Sequence, residues 1–450
     1  MAKKGIRFVD IKEKLNHKTD SKRSTKTNKN IVLKTVTKTK DVFGHNLKLW
    51  KTLEHKIEKN LEFYGYSKIE TPIIEYTELV LGGMLKAESE NKKQFFLVDK
   101  NGEKSIIMRP ELISGIVRSY FENKMQNQNQ PVKMYALGQV FCDKVENMFS
   151  QYHQLSLEAI GDQSPIVDVE MINTIKKLLE EFKINNIIFE VNNIGCDHCQ
   201  EIYVKEIKKF YKEKKVKLCN KCKKYLKDNP WEILNCHEEK CKALRSTLPS
   251  YEDFWCHDCK SHFSTIIEYL EFLKIPYEIN NKLRGLNRYE NKFIFKINYI
   301  DGDKKKNIGL GFRHDDLIKT ISSNGRYGVG VIIDANMLFK IIREHKIEKE
   351  DKDFSVFLVQ IGDTAKRKAF EVVESLRKEN ILVRTNLSKD SLRAQITIAE
   401  KEKVSCILVI GQEEVMRGEV IIRDFQSGLQ ESVSFAKLIP NLVKRKNQIN

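Results

Sequence analysis

Helical and extended periodicities alternate along this chain and divide it into two blocks. Trp50, Leu53, Ile57, Leu61 and Tyr64 recur at three- and four-residue spacing, and Gly65 follows where a left-handed residue closes a helix. Residues 69–74 read as a short extended run broken by Pro72. Residues 94–98 and 105–108 read as two strands joined by the turn Asp99-Lys100-Asn101-Gly102. Residues 111–123 have a helical pattern, and 134–140 and 154–160 have strand patterns. Residues 168–182 form an amphipathic helix; further strands lie within 283–299 and at 328–333. Many strands with few helices between them predict a mainly antiparallel sheet and an α+β core.

The pattern changes near residue 354. Strand-like stretches at 355–361, 381–385 and 405–411 alternate with helical stretches at 366–378 and 391–401. Such alternation predicts a small separate α/β domain. The charged stretch 343–352 precedes it as a linker, and no internal repeat is evident.

Composition sharpens this division. A length of 450 residues suggests about three domains. With 41% apolar and 31% charged residues a packed core is expected. The net charge of +17 favours an anionic partner, nucleic acid above all. Residues 1–40 carry 13 Lys or Arg against Asp10, Glu13 and Asp20, and the stretch 18–30 lacks large apolar side chains. That stretch cannot bury enough surface to offset its ordering entropy, so a disordered basic arm is expected, either RNA-binding or merely solubilising. No apolar run reaches membrane-spanning length, and the N-terminus lacks the apolar segment of a secretory signal. A cytoplasmic protein with no membrane partner is therefore expected.

Eight of the ten cysteines lie between Cys196 and Cys259, in the pairs Cys196/Cys199, Cys219/Cys222, Cys236/Cys241 and Cys256/Cys259. Three pairs have the C-x2-C spacing that presents two thiolates to one tetrahedral zinc. Eight thiols fill two four-cysteine sites, and four pairs allow three pairings. Four thiolates leave no open coordination position, so structural rather than catalytic zinc is expected. His198 and His257 lie inside knuckles and are expected to be bystanders.

Residues 134–170 resemble the motif 2 region of histidyl-tRNA synthetases, a family of class II aminoacyl-tRNA synthetases. The resemblance extends from about residue 38 to the C-terminus. Thr39-Lys40-Asp41-Val42 resembles the family's opening, and Thr71-Pro72-Ile73-Ile74-Glu75 its motif 1. Met108-Arg109-Pro110-Glu111 resembles its LRPE segment, and Arg284-Gly285-Leu286-Asn287-Arg288-Tyr289 its RGLDYY signature. Residues 389–430 resemble its anticodon-binding domain. The cysteine-rich insert matches too, at Asn229-Pro230 and Ile233-Leu234-Asn235-Cys236.

The resemblance implies a class II-like core at 41–193 and 276–345, interrupted by a zinc-binding insert at 194–275. A basic arm at 1–40 precedes this core and an anticodon-binding-like domain at 354–450 follows it. It also implies a homodimer, with the segment near Pro72 at the interface, and ATP with magnesium, histidine and tRNA as substrates. Glu111 and Gln154 would hold the backbone groups of histidine; Glu158 and Tyr289 would hold its imidazole. Arg284 would be the cation near the α-phosphate. On residues alone, Gln154, Ser156 and Glu158 alternate with Leu155, Leu157 and Ala159, so a solvated polar strand face is the plain alternative.

The nucleotide half departs from the family pattern. Cys142 follows Phe141 where the family has arginine, and Ser150 stands in a shortened motif 2 loop where another arginine is expected. Motif 3 ends Asp334-Ala335-Asn336-Met337-Leu338, so an acidic position holds Asn336 and an arginine position Met337. Ile113 replaces a threonine, and the GGRYDGL segment becomes GFRHDDL, with His314 at the tyrosine position. Guanidinium forks bind phosphates bidentately, and a flexible lysine such as Lys144 or Lys340 does not reproduce that geometry; Arg343 lies about two helical turns beyond Met337. Asp334 adds repulsion. Three functions follow in order of fit: an RNA-binding homologue with histidine adenylation lost or impaired, an active histidine–tRNA ligase, and a regulatory subunit resembling the partner of ATP phosphoribosyltransferase.

Overall fold

The computed structural model describes residues 34–35, 39–84, 96–98, 105–145, 148–284, 290–322, 326–344, 354–402, 404–425 and 427–449. The basic arm lies almost wholly outside them, as do the 99–102 turn, Tyr289 and most of the 343–352 linker. The chain divides into two units, Met1–Ile347 and Glu348–Asn450.

In the first unit the strands are β1 (Ser67–Lys68), β2 (Ile74–Tyr76), β3 (Phe96–Val98), β4 (Ser105–Met108), β5 (Val132–Val145), β6 (Met148–Ile160), β7 (Ile187–Asn193), β8 (Tyr277–Ile279), β9 (Asn291–Asp301), β10 (Lys304–Arg313) and β11 (Gly328–Asp334). Eight of them form one sheet in the order β1-β5-β6-β11-β10-β9-β7-β8; β2, β4 and β3 form a second. Only the outer pairs β1–β5 and β7–β8 run parallel; the interior is antiparallel, as the spacing of strands predicts. The motif 2 strands are longer than periodicity alone marks, because pairing continues from Val132↔Ile160 out to Val145↔Met148. The extended run at 69–74 instead lies mostly between β1 and β2.

Alternation along each strand sends side chains to two cores. Tyr135, Leu155, Leu157, Val331 and Phe295 pack on one face against the helices Gly44–Phe63, Pro165–Glu181 and His257–Phe272. Met134, Ala136, Ile294 and Phe312 pack on the other face against the helix Ile113–Glu122 and the insert residues Tyr203, Ile207 and Tyr211. The Gly44–Phe63 helix buries Leu53, Ile57 and Leu61, the stripe read from the sequence, and Gly65 follows at φ +79°.

One ion pair is buried on the face covered by the helices Pro165–Glu181 and His257–Phe272. Arg313, the last residue of β10, donates from Nε and Nη2 to the carboxylate of Asp168 at 2.8–3.0 Å, and both residues are 0% exposed. His262 Nε2 stands 3.1 Å from the same carboxylate.

The second unit has the strands β12 (Ser355–Gln360), β13 (Leu382–Thr385), β14 (Cys406–Ile410), β15 (Glu419–Asp424) and β16 (Gln430–Ser434), in the order β13-β12-β14-β15-β16. The parallel strands β13, β12 and β14 are those read from the alternating pattern; β15 and β16 add an antiparallel edge. All six residues of β12 are buried, as a central parallel strand requires. Gln360 and Gln395 close this unit's interior: Gln395 Oε1 accepts from Gln360 N at 3.1 Å, and Gln395 Nε2 donates to Gln360 O at 2.8 Å.

Replacing Asp168 by alanine leaves the Arg313 guanidinium buried without its counter-charge, so unfolding in urea should show a loss of about 3–5 kcal/mol. Burial opposes ionisation of Asp168, yet Arg313 and His262 outweigh it and hold its pKa below the ordinary value. A depressed carboxylate pKa stabilises the fold above the unfolded-state value, about pH 4, and this contribution fades as pH falls through the folded-state pKa. The variant's deficit should therefore shrink in acid.

Candidate functional site

The polar face of β6 is not solvated. Gln154, Ser156 and Glu158 are 2%, 0% and 0% exposed. They stand opposite Gly138, Ala136 and Met134 of β5 and opposite Asp334, Ile332 and Gly330 of β11, beneath the helix Ile113–Glu122. Each polar atom placed here therefore needs a protein or ligand partner. Gln154 Oε1 accepts from Leu112 N at 2.9 Å. Ser156 Oγ donates to Val331 O at 3.1 Å and stands 3.4 Å from Glu158 Oε1. Glu158 Oε2 lies 2.6 Å from His314 Nε2. Glycine at 330 makes the room, since a Cβ there would collide with the Glu158 carboxylate.

Glu111 joins this cluster from the helix side. Its carboxylate accepts from Ile113 N and from Ser114 N, the latter at 3.1 Å, and so caps the helix start, where donors lack intrahelical partners. Burial raises its pKa despite these bonds. Burial likewise raises that of Glu158. For His314 burial works against the charged form, but the Glu158 carboxylate outweighs it and the ring pKa is raised. Arg109, whose role the sequence does not reveal, bolts the segment before β2 to β5: its guanidinium donates to Thr71 O at 2.6 Å and Gln139 O at 2.8 Å. Arg118 holds Glu75 at 2.7 Å beside it.

Glu111, Gln154 and Glu158 thus converge. Arg284 is placed elsewhere, against the insert: its guanidinium carbon is 5.4 Å from the Trp231 ring and 5.3 Å from the Tyr251 ring, and Nη1 donates to Leu283 O. Arg284 and Tyr251 border a cavity of about 520 Å³ that also touches Tyr203, Lys242 and Arg245.

The motif 3 corner is built from β11 and the helix Ala335–Glu344. Asp334 Oδ1 accepts from Met337 N at 3.0 Å and caps the helix. Asn336 Oδ1 accepts from His153 N at 2.8 Å, tying the helix to β6. Met337 is half-buried against the core, and His153 packs on Trp50 at 4.5 Å between ring centroids. Lys340 reaches Glu344 at 3.8 Å, and Arg343 is exposed on the last turn. Cys142 pairs with Ser150 along the β5–β6 ladder; their side chains lie outside the described residues.

The insert resolves the cysteine pairing. Cys196, Cys199, Cys256 and Cys259 form one group and Cys219, Cys222, Cys236 and Cys241 another, with all sulfurs of a group within 4.8 Å of one another. Sulfur–sulfur separations are 3.6 Å for Cys196–Cys199, 3.9 Å for Cys199–Cys259 and 3.8 Å for Cys219–Cys236. A disulfide needs about 2.05 Å. Tetrahedral ligands at about 2.3 Å from one ion lie about 3.8 Å apart, so the donor sets fit such a metal. Backbone N–H groups aim at the sulfurs, Cys256 N at Cys199 and Cys196 N at Cys259, at 3.1 and 3.2 Å. His198 and His257 belong to neither group.

The mainly antiparallel sheet, its motif 2 hairpin, the cysteine insert and the second unit define the class II aminoacyl-tRNA synthetase type. The comparisons agree, and the chain belongs to the histidyl-tRNA synthetase family. Residues 38–338 match the family model for histidyl-tRNA synthetase, and residues 355–445 that for the anticodon binding domain. A histidine–tRNA ligase of Thermodesulfovibrio yellowstonii is 31% identical over 90% of this chain and 97% of its own length. That of Acetivibrio thermocellus is 31% identical over 90% and 98%. The apo histidyl-tRNA synthetase of S. aureus superposes with a TM-score of 0.77 at 25% identity, covering 91% of this chain and 99% of that one.

Gly330→Ala should overpack the Glu158 carboxylate. The expected loss is about 1–3 kcal/mol in thermal or urea unfolding, larger than for alanine at an exposed glycine.

Proposed function

We propose that this chain binds tRNA through the family's architecture while forming histidyl-adenylate poorly or not at all. The observation carrying this reading is the corner Asp334-Ala335-Asn336-Met337. An ATP site stabilises charge on the leaving pyrophosphate with preorganised cations, and here an acidic cap, an amide and a half-buried thioether fill that corner. Loss of one such donor costs roughly 10²–10³ in rate, and Cys142 marks a second loss. The anticodon-binding match and the +17 charge support RNA binding, since phosphate neutralisation provides much of the affinity.

A second reading, an active histidine–tRNA ligase, is favoured by near-complete coverage of relatives carrying that name. A regulatory role fits less well. A structure titled as ATP phosphoribosyltransferase regulatory subunit/histidyl-tRNA synthetase from Bacillus halodurans shares the fold at 14% identity, but a matched anticodon-binding domain serves RNA. The dimer reading is supported by Ile73, Ile74 and Tyr76, apolar side chains exposed beside Pro72. The two cysteine groups are read as structural zinc sites, which brace the insert.

Histidine-dependent ATP–pyrophosphate exchange should be absent or reduced at least about a hundredfold against an active relative. Robust exchange establishes the active ligase instead. Cys142→Arg with Met337→Arg asks whether the phosphate site is the sole defect. RNA affinity should fall steeply with salt, and a flat response removes the RNA reading.

Metal analysis of purified protein should find two zinc ions per chain, the two four-sulfur groups being filled. Chelation should lower the melting temperature, because binding energy at such sites is folding energy.

A further inference from the structure

His314 directly follows β10 and is fully buried, with Nε2 2.6 Å from Oε2 of Glu158. Its backbone is fixed: His314 N donates to Gly328 O at 3.0 Å, and His314 O accepts from Leu317 N at 3.1 Å. Its ring is seated against a glycine, since a Cβ at 328 would stand 2.7 Å from ring Cε1 and 3.2 Å from Nδ1. The other carboxylate oxygen of Glu158 faces Ser156 Oγ and the space that Gly330 leaves open. Thus one end of the β6 polar face already contains an imidazole on a carboxylate, enclosed on every side by strand and helix.

We propose that His314 is an intrachain occupant of the imidazole position of this site, so that the folded chain excludes free histidine. This rests on the reading, from family likeness, that Glu158 is the group receiving an imidazole ring. The physical argument is one of shared valence and shared space. A buried carboxylate and a ring N–H at 2.6 Å make a short charge-assisted bond. A second imidazole would have to share this carboxylate, whose other oxygen already faces Ser156 Oγ at 3.4 Å, and displacing the first strands a buried ring without its acceptor. Glycines at 328 and 330 accommodate the His314 ring and the Glu158 carboxylate, so neither provides spare room for a second ring. His314 is accordingly a specificity-determining residue. It acts as a built-in pseudo-ligand, independently of whether the phosphate corner works.

Calorimetric titration of the full chain with L-histidine and, separately, with imidazole tests this. Wild type should bind neither measurably at millimolar ligand. His314→Gly should gain imidazole binding by at least about tenfold, because a vacated buried cavity takes up a ligand of the lost shape. His314→Tyr, which installs the family residue, should gain L-histidine binding by a similar factor. Micromolar binding of L-histidine by wild type overturns the proposal. So does absence of any gain in either ligand when thermal melts show the variants folded. Imidazole gained by His314→Gly with no histidine gained by His314→Tyr upholds the occupancy and overturns the histidine reading of the site. If His314→Gly does not fold, His314→Asn replaces it, and imidazole gain or its absence is read in the same way.

Discussion

The core of this protein depends on neutralising carboxylates that have no access to water. Asp168 and Glu158 are both 0% exposed, and consecutive residues answer them: Arg313 takes Asp168 and His314 takes Glu158. A buried carboxylate without a partner is costly enough to dictate what surrounds it. The end of β10 is thereby pinned between the helix Pro165–Glu181 and β6, and the helix Asp315–Ile321 must start where His314 leaves it. The flanking glycines at 328 and 330 follow from the same constraint, since side chains there would occupy the volume of the His314 ring and the Glu158 carboxylate.

This arrangement changes the meaning of the departures from the family pattern. Taken singly, Cys142, Asn336, Met337 and His314 are four unrelated substitutions. In three dimensions three of them do structural work. Asn336 ties the last helix of the core to β6, Met337 packs on the core, and His314 satisfies Glu158. Each of the three is engaged within the chain itself.

Much of the fold was legible in the residues. The stripe Leu53, Ile57 and Leu61 marked its helix, strand patterning marked β5, β6 and β11, and short apolar runs separated by helical stretches marked the parallel strands of the second unit, because burial imposes a pattern that composition cannot hide. Less legible were β10, β15 and β16. Lys304–Asn307 of β10 is a largely exposed, lysine-rich start, and β16 is largely exposed throughout, so neither carries a strong apolar period. The aromatic packing of Arg284 on Trp231 and Tyr251 was not legible at all, since the contact spans the insert.

The sequence alone determined the family, the α+β architecture and the donor type of the cysteine insert. Those properties are written in local periods, spacings and motifs. Only the tertiary structure decided that the cysteines group as 196/199/256/259 and 219/222/236/241, that the polar face of β6 is sealed from water, and that residue 314 meets residue 158. Each of these is a distance between residues far apart in the chain, and a linear pattern contains no such distance. It takes the closing of the sheet to turn a substituted histidine into the partner of a buried glutamate.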